Sequence, residues 1–115
     1  MASVLPPEIL AALDLGSNSF HLAVAKVTGS GLHIIDRVQE RVQLAAGIGE
    51  DKMLDEASQE RALASLERFA QRLRDLPGAA VRAVGTDSFR VAANAGPFIE
   101  RASSVLGHPI EVLSG

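Results

Sequence analysis

The chain has 115 residues, the usual size of one domain, and its 47% hydrophobic and 22% charged residues are typical of a folded globular protein. The formal net charge of −3 gives no electrostatic reason to expect a nucleic-acid partner. The absence of cysteine excludes disulfides, thiolate metal sites and a cysteine nucleophile. No apolar run reaches the roughly 18 residues of a membrane span. We therefore expect a soluble cytoplasmic protein without a membrane partner, in which residues 1–115 form a single domain.

The first part of the chain is predicted to form three strands joined by short turns. Ile9–Leu15 is almost wholly apolar, as in a buried strand, and Phe20–Thr28 is apolar and β-branched. A third, long strand is predicted over Leu32–Leu44, because apolar residues of one parity give it one mostly apolar face. These residues are Leu32, Ile34, Val38, Val42 and Leu44. Three consecutive strands with tight turns form an antiparallel meander.

A helix is predicted after Asp55, whose side chain suits the N-cap position, and it is expected to stop at Pro77–Gly78. Leucines such as Leu63 and Leu66 recur in it at helical spacing. Its arginines alternate with acidic residues, which predicts a solvated helix face that would be a poor track for a polyanion. These arginines are Arg61, Arg68, Arg72 and Arg74.

The last part of the chain alternates strand and helix. A strand is predicted over Ala79–Val84 and another over Ile110–Leu113. Between them, Phe89–Asn94 and Pro97–Leu106 are predicted to be helical, with a break near Gly96–Pro97. The resulting order is βββαβαβ, and its two strand–helix–strand crossovers require parallel pairing. The predicted fold class is therefore α/β of the ribonuclease-H-like type, a mixed sheet with helices packed on it.

Asp14 and the turn that follows it are the main candidates for chemistry. A carboxylate at the end of a buried strand can hold a hard cation such as Mg²⁺. Gly16, Ser17, Asn18 and Ser19 offer backbone N–H groups, two hydroxyls and an amide, which suit phosphate oxygens. On spacing alone, the same residues are more typical of an ordinary hairpin turn with a capping aspartate.

Ala12–Leu22 resembles the first phosphate motif of the exopolyphosphatase/guanosine pentaphosphate phosphatase (Ppx/GppA) family of the actin–sugar kinase–Hsp70 superfamily. Further segments follow the order and spacing of that family. They are Val38–Leu44, Leu54–Glu56, Gly85–Asn94 and Gly107–Gly115. The resemblance covers nearly all of the chain after residue 9, and it implies the N-terminal part of the first lobe of a longer phosphatase.

The resemblance also implies roles for individual residues. Asp14 would help to bind Mg²⁺, and the four residues from Gly16 to Ser19 would cradle phosphate. Arg90 would hold phosphate through its guanidinium group, although a surface arginine paired with an acidic side chain is the plainer interpretation. His21 follows the turn and either faces the substrate or is an ordinary strand histidine. Asn94 matches a frequent asparagine of the family and either joins the site or braces its loop.

The implied activity is removal of terminal phosphate from inorganic polyphosphate with Mg²⁺. The alternative substrate is guanosine pentaphosphate, which would lose its 5′ γ-phosphate. In the family, the general-base glutamate follows the residues that match Ser114–Gly115, so no catalytic residue is assigned and the 115-residue chain is expected to be inactive by itself. Two other interpretations remain open. One is a non-catalytic module that binds phosphate or forms a homodimer through its open sheet edge, and the other is a relative of the sugar or acetate kinases.

Overall fold

Five strands form one mixed sheet in the computed structural model, which describes residues 8–76 and 79–113 except for the side chain of Asp87. They are β1 (Glu8–Leu15), β2 (Ser19–Thr28), β3 (Gly31–Arg41), β4 (Ala80–Gly85) and β5 (Ile110–Val112). Their order in the sheet is β3-β2-β1-β4-β5. The meander β1–β2–β3 is antiparallel, whereas β4 pairs parallel with both β1 and β5. The predicted element order and mixed sheet are therefore confirmed.

The described residues contain three α-helices, α1 (Glu56–Arg74), α2 (Asp87–Val91) and α3 (Ala95–Leu106), and one turn of 3₁₀ helix at Ala45–Gly47. Asp55 caps α1 as predicted, because its carboxylate accepts a hydrogen bond from the Ser58 N–H at 2.7 Å. The predicted stop at Pro77–Gly78 lies outside the described residues. None of the helices in the described ranges is long and apolar enough to cross a membrane.

The break between α2 and α3 differs from the prediction. It falls at residues 92–94, whereas Gly96 and Pro97 lie in the first turn of α3. A proline is tolerated there because the first N–H groups of a helix have no partner within the helix. The dipeptide therefore starts a helix here and does not interrupt one.

Burial divides the sheet into two faces. Leu13 and Leu15 of β1 and Leu22 of β2 are at most 1% exposed, and they pack with buried side chains of α1 and α3 such as Phe69 and Phe98. We call this side the covered face. The residues of opposite parity lie on what we call the open face. They include Ala12, Asp14, His21, Arg82 and Glu111, all of which are exposed.

A β-bulge in β3 overturns the predicted apolar face of that strand. Val24 pairs with Asp36 and the next residue of β2 pairs with Ile34, so Ile35 is an extra residue in the ladder. One inserted residue reverses the sheet face to which the other side chains of the strand point. Leu32 and Ile34 therefore lie on the open face, where they are 59% and 45% exposed. The prediction that these two residues share a face with Val38 is therefore wrong, since Val38 packs against the core. The strand also ends at Arg41, before the predicted Leu44.

Two acidic residues that interrupt the apolar pattern of β3 face α1. Asp36 accepts a hydrogen bond from Arg72 at 3.0 Å, and Glu40 accepts two from the Nε atom of Arg68 at 2.9 and 3.0 Å. The hydrogen bonds from Arg68 hold the pKa of Glu40 below its usual range. Arg68 and Arg72 are 58% and 51% exposed, as predicted for a solvated helix face, and each of them also joins α1 to β3.

The corner between β4 and α2 is fixed by close packing on Phe89. Its ring lies between those of Phe20 and Phe98, with centroid distances of 6.3 and 5.7 Å. A Cβ atom on Gly85 would lie only 2.8 Å from Cγ of Phe89. Glycine is therefore required for this approach, and the packing fixes where the following Arg90 emerges.

Candidate functional site

The Gly16–Ser19 turn connects β1 to β2, and its backbone is held from one side. Three N–H groups of segment 42–45 donate to the carbonyl oxygens of Ser17 and Asn18 at 2.8–3.0 Å. In a trans peptide the C=O and N–H groups point in opposite directions, so the Asn18 N–H points away from that segment. Within the described residues, neither the Ser17 nor the Asn18 N–H donates to a backbone carbonyl. The turn thus presents the Asn18 N–H on its outer side, as an anion site requires.

Asp14 is the last residue but one of β1 and lies on the open face. It pairs with His21 of β2 and with Val84 of β4, and its side chain is exposed. With His21, Arg82 and Leu113 it lines a shallow depression of about 470 Å³. An accessible carboxylate beside a turn rich in donors is the arrangement expected for a cation that bridges protein and phosphate.

Asp14 offers a single carboxylate ligand to Mg²⁺. Among the described residues, no three His, Asp or Glu side chains come together as a metal site made of protein ligands alone. Mg²⁺ commonly keeps several water molecules and binds through one or two carboxylates together with phosphate oxygens. Asp14 fits this mode as a single carboxylate ligand, with water and phosphate supplying the other oxygens.

The loop between β4 and α2 lies at the same edge of the sheet as the Gly16–Ser19 turn. Gly85 pairs with Leu15, and the Thr86 N–H donates to the Leu15 carbonyl at 3.3 Å. The Thr86 hydroxyl contacts the same oxygen at 3.5 Å. Because β1 and β4 are parallel, both connections leave the sheet at their carboxyl ends, where ligands of open α/β sheets usually bind.

Arg90 lies in the last turn of α2 with an exposed side chain. Its Nη1 group donates to the Leu113 carbonyl at 3.2 Å, and Leu113 lines the same depression as Asp14. The guanidinium is thus held at the margin of the depression by the backbone that follows β5. Its role in holding phosphate stays a prediction.

The two further candidates lie in different places. His21 is the direct neighbour of Asp14 across the β1–β2 ladder and is exposed in the same depression. Asn94 instead braces two loops, because its Oδ1 atom accepts from the Leu54 N–H at 2.9 Å and its Nδ2 atom donates to the Leu54 carbonyl at 3.1 Å. These bonds are the bracing role that the sequence analysis named, and a role of Asn94 in the site stays a prediction.

Arg61 of α1 is a residue that the sequence analysis assigned to a solvated helix face. Its Nε group donates to the Val42 carbonyl at 3.2 Å, and its Nη2 group contacts the Gln43 carbonyl at 3.4 Å and the Ser58 hydroxyl at 2.8 Å. The helical pattern does not distinguish it from Arg68 or Arg72, since all three lie on the polar side of α1. The only sequence signal near its contacts is the family-like segment 38–44.

The sequence profile of the Ppx/GppA phosphatase family matches residues 23–115. This match covers most of the chain and shows that the chain belongs to that family. A curated relative from Pseudoalteromonas atlantica, named guanosine-5′-triphosphate,3′-diphosphate pyrophosphatase, is 46% identical over 110 residues. The match covers 96% of this chain and 22% of the relative, so the chain spans about a fifth of that protein's length.

Solved structures of the family have the same fold. The Aquifex aeolicus PPX-GPPA enzyme superposes with a TM-score of 0.86 at 30% identity, over 94% of this chain and 36% of that one. An exopolyphosphatase from Cytophaga hutchinsonii gives a TM-score of 0.87 at 27% identity, over 94% of this chain and 35% of that one. These similarities confirm the predicted α/β fold of the actin–sugar kinase–Hsp70 type.

Proposed function

We propose that this chain is the N-terminal part of a hydrolase that removes the 5′ γ-phosphate of guanosine pentaphosphate. The observation that carries this proposal is the 46% identity, over 96% of the chain, to a protein named for guanosine-5′-triphosphate,3′-diphosphate. In the reaction, the oxygen of a water molecule forms a bond to the γ-phosphorus and the anhydride P–O bond breaks. The products are guanosine tetraphosphate and inorganic phosphate.

In this proposal the Gly16–Ser19 turn binds the terminal phosphate. The outward N–H group of Asn18 and the hydroxyls of Ser17 and Ser19 donate to its oxygens. An unscreened carboxylate at position 14 would repel the same phosphate, which is why a divalent cation belongs between them. When bound, Mg²⁺ supplies positive charge that neutralises the phosphate oxygens.

Inorganic polyphosphate is the second candidate substrate. It is favoured by the similarity to the Cytophaga hutchinsonii exopolyphosphatase, whose TM-score is 0.87. Both substrates end in a phosphoric anhydride, so a site that contacts only the terminal phosphate can bind either one. The choice between them falls to groups that contact the rest of the substrate.

The test is a substrate comparison with the full-length polypeptide that contains this sequence. Phosphate release is measured with guanosine pentaphosphate and with polyphosphate, at equal concentrations of terminal phosphate and of Mg²⁺. We expect the larger kcat/KM with guanosine pentaphosphate. The opposite preference supports the second candidate, and a folded protein that releases phosphate from neither substrate refutes both.

The Asp14→Asn variant tests the metal site within the same assay. Loss of the carboxylate should lower phosphate release by roughly 100-fold or more, because the cation then lacks its protein ligand. The matched control is Glu100→Gln, which removes an exposed carboxylate on α3. Asp14→Asn activity close to that of the control would remove Asp14 from the proposed site.

A further inference from the structure

The side of the Gly16–Ser19 turn that faces away from its outward donors rests on Val42–Ala45, which we call the brace segment. The Val42 and Gln43 N–H groups both donate to the Asn18 carbonyl at 2.8 Å, and the Ala45 N–H donates to the Ser17 carbonyl at 3.0 Å. These bonds fix two successive peptide planes of the turn. They therefore fix the direction in which the Asn18 N–H points.

The brace segment holds a backbone conformation that needs support. Gln43 has a φ of 55°, in the left-handed region that residues other than glycine rarely adopt. It lies between Val42 and Leu44, which are 2% and 0% exposed. The left-handed residue lets both neighbours be buried while two consecutive N–H groups converge on one carbonyl oxygen. Such a conformation persists only where surrounding contacts stabilise it.

Arg61 supplies a contact of this kind. Its Nε group donates to the Val42 carbonyl at 3.2 Å, and that carbonyl belongs to the same peptide unit as the Gln43 N–H. The peptide unit thus accepts from Arg61 on one side and donates to the Asn18 carbonyl on the other. A charged donor polarises the peptide and strengthens its N–H as a donor, so the two hydrogen bonds support each other.

The helix that carries Arg61 is itself closely fitted to this region. Ser58, which is 1% exposed, accepts a hydrogen bond from Arg61 at 2.8 Å. A Cβ atom on Gly47 would lie 1.9 Å from the Ser58 hydroxyl oxygen, so the chain after the brace segment approaches α1 as closely as glycine allows. The Asp55 N–H donates to the Gly47 carbonyl at 2.8 Å. The guanidinium of Arg61 is therefore held in place and does not swing freely on an exposed helix face.

We propose that Arg61 is a positioning residue for the Gly16–Ser19 turn, acting through the Val42–Gln43 peptide of the brace segment to hold the Asn18 carbonyl and with it the Asn18–Ser19 peptide plane. This inference rests on the proposed function in one respect, namely that the turn binds the terminal phosphate. The guanidinium nitrogens of Arg61 are directed at the Val42 and Gln43 carbonyls and at the Ser58 hydroxyl. Removal of the guanidinium should therefore change how well the turn is shaped for an anion, without removing any group that contacts the substrate.

The first test measures the stability of the brace segment by amide hydrogen exchange and mass spectrometry, on the full-length polypeptide that contains this sequence. Arg61→Met keeps the length of the side chain and removes its donors. It should raise the exchange rate of the amides in residues 42–45 by about tenfold, the effect of losing one charge-assisted hydrogen bond. Unchanged exchange in these residues overturns the proposal.

The matched control for this test is Arg68→Met. Arg68 also lies on α1 and also bonds to the region of β3, through Glu40, but it does not contact the brace segment. We expect it to leave exchange in residues 42–45 as in the wild type. Equal increases in both variants would show general loosening of α1 and would overturn the specific role of Arg61.

The second test separates positioning from a merely structural role. With the better substrate, Arg61→Met should lower kcat/KM by about tenfold and weaken inhibition by inorganic phosphate by a similar factor, at unchanged melting temperature within a few degrees. Arg61→Lys keeps the charge but cannot reach three acceptors at once, so it should give intermediate values. Faster exchange with unchanged kcat/KM and phosphate inhibition would make Arg61 a structural residue only and overturn the proposal.

The outcomes also distinguish this inference from the proposed function. If the wild-type protein releases no phosphate from either substrate, the proposed function fails. The exchange comparison is then repeated with and without inorganic phosphate. Protection of residues 16–19 by phosphate in the wild type that is reduced in Arg61→Met supports the positioning role, and equal protection in both overturns it.

Discussion

The two faces of the sheet are built from the same strands but have opposite chemistry. The covered face presents leucine and phenylalanine side chains to α1 and α3, and most of them are at most 3% exposed. The open face, one residue out of phase, carries Asp14, His21, Arg82 and Glu111. Arg82 and Glu111 form an ion pair there at 3.0 Å, between side chains that are 73% and 57% exposed.

Alternate residues of the same strands therefore have different roles. Those on the covered face stabilise the fold, and those on the open face include the residues of the proposed site. In β1, Leu13 and Leu15 belong to the core, whereas Asp14 between them lies beside the Gly16–Ser19 turn. Because a strand alternates its side chains, the packing that holds the leucines also fixes the position of the carboxylate. Substitutions on the two faces should therefore change different measured quantities.

The largest expected effect compares the same substitution on the two faces. Leu22→Ala truncates a leucine side chain on the covered face that is 1% exposed. Leu32→Ala truncates a leucine side chain on the open face that is 59% exposed. We expect Leu22→Ala to lower the free energy of unfolding by about 3–5 kcal/mol and Leu32→Ala by less than about 0.5 kcal/mol. Urea unfolding of the two variants measures this, and similar losses would abolish the distinction between the faces.

A smaller effect is expected where the covered face meets α2. Gly85→Ala places a Cβ atom 2.8 Å from Cγ of Phe89, whose ring cannot retreat between Phe20 and Phe98. It should cost about 1–3 kcal/mol of unfolding free energy. Gly29→Ala is the control, since its φ lies outside the left-handed region and no atom beyond the adjoining residues lies within 4 Å of its added Cβ, and it should stabilise the protein by about 0.4–1 kcal/mol. Thermal unfolding of both variants measures these changes in stability. A change of the same sign in both variants would contradict the packing argument.

The smallest effect concerns the ion pair between Glu40 and Arg68 and its dependence on pH. Hydrogen bonds from Arg68 lower the pKa of Glu40 from its ordinary value of 4.5. A carboxyl with a lowered folded-state pKa stabilises the protein above about pH 4.5, and this contribution is lost as pH falls through the folded-state value. Because Arg68 is 58% exposed, the contribution should stay below about 1 kcal/mol.

The measurement is the free energy of unfolding of the wild type and of Glu40→Gln between pH 3 and pH 7, at ~0.15 M salt. The difference between the two proteins should be largest near neutral pH and shrink towards acid. Glu67→Gln, which removes an exposed carboxylate of α1, serves as the control. A difference for Glu40→Gln that does not shrink at low pH would show that the ionised carboxylate does not carry the effect.

The order of elements was predictable because its signals are local. The apolar run of β1, the helical spacing of leucines in α1 and the cap at Asp55 each depend on a few neighbouring residues, and each is confirmed. The family was predictable for a different reason, since the motif Ala12–Leu22 and its collinear segments extend over most of the chain. These signals also placed Asp14 and the Gly16–Ser19 turn at one end of β1.

The remaining features depend on contacts between distant segments. The bulge at Ile35 has no local signal, and a single inserted residue was enough to reverse the face of Leu32 and Ile34. The roles of Arg61 and Arg68 depend on how α1 lies against residues 40–43, which a helical pattern does not encode. The bracing by Asn94 likewise joins residues 40 positions apart.

The clamp of Asn94 on Leu54 has a mechanical consequence for the site. The Ala93 N–H also donates to the Lys52 carbonyl at 2.8 Å, so the connector between α2 and α3 is fastened at two points to the residues that lead into α1. The helix that carries Arg90 is therefore tied, through the connector that follows it, to the residues from which the helix of Arg61 begins. A substitution that breaks the Asn94 bonds should loosen the ends of both helices together.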